Sequence, residues 1–179
     1  MGMGHSPVPA AELATAATSA LFRDHHGELV RLALLMVGDL PTAEDVVQDV
    51  YASMHARWAR LAVPDSALPY VRAAVLNACR SALRRRGMMR RADMLHRASA
   101  DQRPLASAEH EVIMSEERRQ VLAALSRLPR RRREVLVLRY YLGLSEAEIA
   151  EVLRISPGTV KSTAARGLAA LARDLGEDT

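Results

Sequence analysis

Cysteine, lysine and aromatic side chains are scarce in this chain, and each scarcity removes a class of protein. A single cysteine, Cys79, excludes an intrachain disulfide and a zinc site built from several thiolates, which suits a reducing compartment. It reads as a small helix-packing residue, too thin a basis for a redox switch. Six aromatic residues among 179 leave Ala, Leu and Val to supply most of the 49% hydrophobic content, which favours helix packing over a sheet core. No apolar run approaches the ~20 residues needed to cross a bilayer, and Met1 to Ala20 lacks the basic and apolar stretches of an export signal. The sequence therefore predicts a cytoplasmic protein without membrane insertion. The histidines have no metal-ligand spacing, and neither a nucleophile–base pair nor a phosphate-cradling glycine loop is present. The expectation is a protein that is not an enzyme, with no catalytic residue, cofactor or metal.

What is abundant is arginine. Lys161 is the sole lysine, and the formal net charge is +4. Six arginines and no acid lie between Arg80 and Arg91, and Arg130 to Arg133 form an unbroken run of four. Such clusters suggest contact with phosphate, although a solvated arginine-rich surface gives the same pattern.

Periodicity divides the chain in two. Residues 1–17 are weakly patterned and are expected to form a loose tail. Leu21, Leu29, Leu32 and Met36 then make a helical stripe that Gly38 ends. A second helix opens near Pro41 and carries Ala43, Val46, Val47, Val50, Tyr51 and Met54 at helical spacing. Beyond a segment broken by Pro64 and Pro69, the helical pattern resumes from Tyr70 to Arg86. Periodicity fades from Gly87 to about Ser107, the composition of a linker. It restarts near Glu109 with Val112, Ile113, Val121, Leu122 and Leu125 and stops before Pro129. Three shorter helices are expected at 130–141, 145–153 and 156–173. The predicted fold is all-α, with two small helical domains at 18–86 and 109–175, a flexible linker at 87–108 and a short tail at 176–179.

The most specific local signal runs from Leu144 to Leu171. Ser145 and Glu148 make a capping box, Ser156 caps a following helix and Pro157 takes its first position. Ile149, Ala150, Leu153, Ile155 and Val160 supply the contacts between the two helices. This is the pattern of a helix-turn-helix. If its second helix enters the major groove, Ser156, Thr159, Lys161, Ser162 and Arg166 are the candidates for base or phosphate contacts, while Val160 faces inward. An ordinary antiparallel helix pair is the plainer alternative. Arg154 occupies a turn position that favours glycine, and Gly167 interrupts the second helix at a cost of ~1 kcal/mol against alanine.

Three segments extend the reading. GDLPTAEDVVQDVY at 38–51 and LPYVRAAVLNACRSALRRR at 68–86 resemble region 2 of sigma factors, and residues 128–171 resemble region 4. Their order and spacing are similar to the extracytoplasmic-function RNA polymerase sigma factors of the sigma-70 family, in particular to short SigE-like actinobacterial members. The resemblance implies an alternative sigma factor that joins RNA polymerase core and directs transcription initiation at −10 and −35 promoter elements.

Within that frame, Glu44, Asp45, Gln48 and Asp49 would dock on the clamp helices of the beta-prime subunit. Their spacing agrees, since they lie opposite the Val46, Val47 and Val50 stripe; a solvated acidic first turn would look alike. The resemblance assigns −10 recognition to the helix holding Asn77 and to the loop near Ala62 to Pro69. Asn77 suits an unpaired base edge, and Arg80, Arg84, Arg85 and Arg86 suit the adjacent backbone; a solvent-facing amide is the alternative for Asn77. Trp58 and Tyr70 have the chemistry to stack on bases, but Trp58 is expected in the core. Region 4 would read the −35 element and pack on the beta flap. Leu136, Leu138 and Tyr141 fit either that contact or the domain core, and core is the expectation. Many relatives also have an anti-sigma factor as partner. Two rivals remain at the level of sequence: a polymerase-independent regulator with a LuxR-like helix-turn-helix, and an adaptor that binds only proteins.

Overall fold

The computed structural model describes residues 10–58, 67–96 and 115–176. The described residues are helical with short turns: α1 (Ala10–Val37), α2 (Leu40–Trp58), α3 (Ala67–His96), α4 (Glu116–Arg127), α5 (Arg130–Leu136), α6 (Glu146–Leu153) and α7 (Pro157–Leu175). Between α5 and α6 the chain widens into one π-helical turn, Val137–Tyr141. None of these helices is long and apolar enough to cross a membrane.

Helix α1 starts earlier than its apolar stripe, so residues 10–17 belong to a helix rather than to a loose tail. The reason is local: Ala10, Ala11, Leu13, Ala14, Ala16 and Ala17 are strong helix formers that need no periodic face. The helix stops at Gly38, whose φ of +92° only glycine adopts cheaply and whose N–H donates to the Leu34 carbonyl at 2.8 Å. Asp39 then caps α2 by accepting from the Thr42 N–H at 3.0 Å. Its second carboxylate oxygen accepts from Arg86 at 2.9 Å, which ties the start of α2 to α3.

Helix α3 also outruns its expected end. It continues through Gly87 to His96, so the first part of the expected linker is helix. Arg, Met and Ala around Gly87 outweigh the cost of one glycine. The rest of the expected linker, from residue 97 to 108, lies outside the described residues, as do Val112 and Ile113 of the second domain's first apolar stripe, the loop at 62–66 and the side chain of Trp58. Helix α4 opens at Glu116, later than expected, where Ser115 accepts from the Arg118 N–H as N-cap.

The first three helices enclose Leu29, Leu32, Met36, Val47, Val71, Val75 and Cys79, all fully buried. Burial pushes the Cys79 thiol up to about 12, consistent with a packing role. Helices α5, α6 and α7 surround Val135, Leu138, Ile149 and Val160, also fully buried. The two sets join in one continuous apolar cluster, with a satellite of Leu125, Leu128 and Leu136 against Leu35. The halves therefore pack on each other. Arg133 crosses between them, donating to the Met36 carbonyl at 2.6 Å as well as to the carbonyls of Ser126 and Leu128.

Candidate nucleic-acid interface

Helices α6 and α7 build a helix-turn-helix from two side-chain caps. Ser145 accepts from the Glu148 N–H at 3.3 Å, and the Glu148 carboxylate accepts from the Ser145 N–H at 2.8 Å, so two unsatisfied donors are satisfied reciprocally. Hydrogen bonds from the Ser145 side chain and then its backbone hold the Glu148 carboxyl below its ordinary value. The turn bends at Arg154, which takes a left-handed conformation (φ 52°, ψ 54°) where glycine would be less strained. From the other side, Arg131 donates to the Leu153 carbonyl at 2.9 Å, a cation at the negative end of α6.

Helix α7 begins with Ser156 accepting from the Thr159 N–H at 3.2 Å and with Pro157 in the first turn. Val160, Thr163, Ala164 and Gly167 form its buried face. Ser156, Thr159, Lys161, Ser162 and Arg166 are all exposed and share the N-terminal part of the opposite face. Arg166 is braced by its own helix, with Nη2 donating to the Ser162 hydroxyl at 3.2 Å. Free N–H groups at a helix N-terminus, short hydroxyls and two cations make a surface suited to a phosphate backbone and to base edges. Gly167 lets α7 approach α5: a Cβ there would lie 3.1 Å from Leu136 Cγ.

On α2, Asp45, Gln48 and Asp49 are exposed and Glu44 is half-buried, on the side away from Val46, Val47 and Val50. The four polar side chains thus form one largely acidic strip on a rigid helix.

The basic residues of α3 are arranged less simply. Asn77, Arg84 and Arg85 are exposed, and Arg84 donates to Ser81 Oγ at 2.9 Å. Arg86 is held by Asp39. Arg80 donates through Nη1 to Asn77 Oδ1 at 3.0 Å and through Nε to Glu134 Oε1 at 2.9 Å. Glu134 belongs to α5, is fully buried, and also draws Arg131 to 3.4 Å and Arg130 to 3.5 Å. The run from Arg130 to Arg133 is therefore largely engaged within the protein, and Arg133 is buried on backbone carbonyls instead of facing a phosphate. Glu134 escaped the sequence reading, although its spacing of three and four residues from Arg131 and Arg130 was a visible pairing signal.

Tyr70 is 42% exposed and accepts from Arg57 Nη1 at 3.1 Å, with the guanidinium 5.9 Å from its ring centre. Leu136 and Leu138 are core residues, as expected. Tyr141 faces α1 and donates to the Glu28 carbonyl at 3.0 Å.

Comparison with known proteins follows the same division. Residues 21–88 match the family model for sigma-70 region 2, and residues 118–171 match the model for sigma-70 region 4. The chain is 35% identical over 158 residues to the ECF RNA polymerase sigma factor SigM of Mycobacterium tuberculosis, covering 87% of this chain and 76% of that protein. It is 31% identical over 153 residues to the RNA polymerase sigma-E factor of Streptomyces avermitilis, covering 86% and 82%. Among solved structures, the sigma factor RpoE in complex with the anti-sigma factor NepR from Bartonella quintana superimposes with a TM-score of 0.68 at 22% identity, covering 92% of this chain and 99% of that one. CnrH in complex with the cytosolic domain of CnrY gives 0.57 at 22% identity, covering 96% and 100%. With both sigma regions present in order and relatives above 30% identity along most of its length, the chain belongs to the extracytoplasmic-function RNA polymerase sigma factors, which direct transcription initiation.

Proposed function

We propose that the work of promoter recognition is divided among three surfaces of this chain. The acidic strip of Glu44, Asp45, Gln48 and Asp49 docks on the beta-prime clamp helices of RNA polymerase core, where complementary charge sets partner and register. Ser156, Thr159, Lys161, Ser162 and Arg166 take the duplex −35 element. Asn77, Arg80, Arg84, Arg85 and Arg86 take the unstacked −10 element, with Asn77 reading a base edge and the arginines holding backbone. The observation that carries this reading is the exposed polar face of α7, presented next to a side-chain-capped N-terminus on a rigid helix-turn-helix.

Region 4 also packs on the beta flap, and an anti-sigma factor is a further partner; structural relatives solved with anti-sigma proteins support that part of the reading. The chain acts in the cytoplasm, associates with the nucleoid as holoenzyme and performs no chemistry of its own. Linking two weak DNA contacts through polymerase raises the effective concentration of the second.

Two variants test the assignment. Asp45→Lys with Asp49→Lys should abolish retention on purified core polymerase without changing the circular dichroism of the protein. Lys161→Ala with Arg166→Ala should keep core binding but cut transcription from −35-dependent promoters at least tenfold. Core binding that survives the first exchange would contradict the docking strip, and unchanged transcription after the second would contradict the −35 face.

A further inference from the structure

We propose that Arg154, in the turn between α6 and α7, binds a backbone phosphate of the duplex at the −35 element and so carries the DNA-binding face beyond the recognition helix. The inference rests on the −35 reading of α7 and adds to it a contact from outside that helix.

Arg154 holds an unfavourable backbone. Among the described residues it is the one side-chain-bearing position with a positive φ, at φ 52° and ψ 54°. A Cβ in that left-handed region crowds the following carbonyl, a cost that glycine escapes. The bonds that close the turn come from the main chain: the Arg154 N–H donates to the Ala150 and Glu151 carbonyls, and the Ile155 N–H donates to the Ala150 carbonyl at 3.0 Å. Glycine would supply them equally. The Arg154 side chain is exposed and makes no hydrogen bond or ion pair among the described residues, although Glu151 stands three positions back on α6.

Other arginines of the second half are engaged by groups of the protein itself. Arg127 holds Asp174 at 2.7 Å, Arg139 lies 3.6 Å from Glu146, and Arg131 donates to the Leu153 carbonyl. The last contact already places a cation at the negative end of α6, so the helix dipole does not call for a second one at Arg154. A strained residue without a compensating contact inside the chain points to a partner outside it.

The turn puts this cation beside the −35 face. Arg154, Ile155, Ser156 and Pro157 line one open depression of about 590 Å³, whose opposite wall includes Ala150 and Glu151 on α6. Ser156 caps α7 and is assigned to the −35 element, so the guanidinium and the first residue of the DNA face border the same hollow. A duplex backbone alternates apolar sugar with anionic phosphate; Ala150, Ile155 and Pro157 match the first and Arg154 the second. Glu151 repels phosphate from the α6 wall, which leaves the Arg154 side as the seat of the anion. A guanidinium meets phosphate oxygens with parallel N–H donors, and such a contact fixes register without reading sequence.

The test uses holoenzyme assembled from the full chain and core polymerase, bound to a promoter fragment at a series of salt concentrations. Arg154→Gly removes the charge and relieves the backbone, whereas Arg154→Lys keeps a cation in the same strained turn. Arg154→Gly should raise the thermal midpoint of the free protein by about 2 °C or more, yet weaken promoter binding at low salt about threefold or more. One phosphate contact fewer should flatten the fall of log K with log salt by about 0.9. Arg154→Lys should stay within about twofold of the wild type and keep its slope. The loss in Arg154→Gly should be equal on promoters that differ within the −35 element.

Unchanged affinity and slope in Arg154→Gly would overturn the contact, and so would a lowered thermal midpoint, which would make Arg154 a structural residue of the turn. A loss as large in Arg154→Lys as in Arg154→Gly would overturn the role of the charge, and a loss confined to particular −35 sequences would mean base reading instead of phosphate binding. Lys161→Ala with Arg166→Ala separates this inference from the reading beneath it. If that pair weakens binding while Arg154→Gly does not, the −35 face stands and Arg154 is no part of it; if neither change weakens binding, the −35 reading itself falls.

Discussion

Arg133 and Lys161 carry the same charge to opposite ends. Arg133 is 7% exposed and donates through Nη1 and Nη2 to three backbone carbonyls, whereas Lys161 is exposed on the outer face of α7. Desolvation lowers the tendency of Arg133 to hold its proton, but a guanidinium stays charged in proteins. Removing it leaves those carbonyls without their donor, so Arg133→Met should lower stability by about 3 kcal/mol, read as a shift in the denaturant midpoint. Gly167 is predicted from packing rather than charge. A methyl there gains ~1 kcal/mol of helix propensity but meets Leu136 Cγ and both Cδ atoms at 3.1–3.3 Å. Since rotation about a branch point cannot move all three away, Gly167→Ala should cost about 1 kcal/mol net, and Leu136→Val in the same chain should recover part of it. The inward turn of Val160 and the outward turn of its polar neighbours were legible because helical spacing fixes both at once. The burial of Arg133 was not, because nothing within a run of four arginines says which one points at a carbonyl far along the chain.

Caps were the most readable elements and helix ends the least. The Ser145–Glu148 box and the Ser156–Pro157 start follow from side chains that satisfy particular N–H groups, so they hold whatever surrounds them. Ser145→Ala should therefore cost about 1 kcal/mol in thermal unfolding. Because the Glu148 carboxyl is depressed in the folded state, chiefly by the Ser145 hydroxyl, its contribution is complete above the ordinary value of 4.5. It is lost as pH falls through the depressed folded value. The wild type should lose its stability advantage over Ser145→Ala across that acid window, while the advantage stays constant near neutral pH. By contrast, α1 and α3 run past the points where their apolar stripes fade, because alanine, arginine and methionine extend a helix without a buried face. The π-helical turn at Val137–Tyr141 had no signature either: it widens the helix as it turns between the buried Leu138 and Tyr141, whose partner lies on α1.

At the scale of the whole molecule, two all-helical regions in the order of a sigma factor were legible from their motifs, but their union in one continuous core was not. Periodicity reports which face of a helix is apolar and is silent on which other helix covers it. Glu134 and Arg80 show the limit well, being 54 positions apart and joined only by folding. The same distinction separates family membership, which the motifs carry, from the roles of single side chains, which depend on what each one touches. The most direct test of the account is run-off transcription by purified core polymerase from the source bacterium on a library of its promoters, with and without this protein. Transcripts from a defined promoter set that arise only when the protein is present, and disappear with Asp45→Lys and Asp49→Lys in the folded protein, are the predicted result. Specific binding to duplex DNA with neither core binding nor new transcripts would contradict it and favour a polymerase-independent regulator.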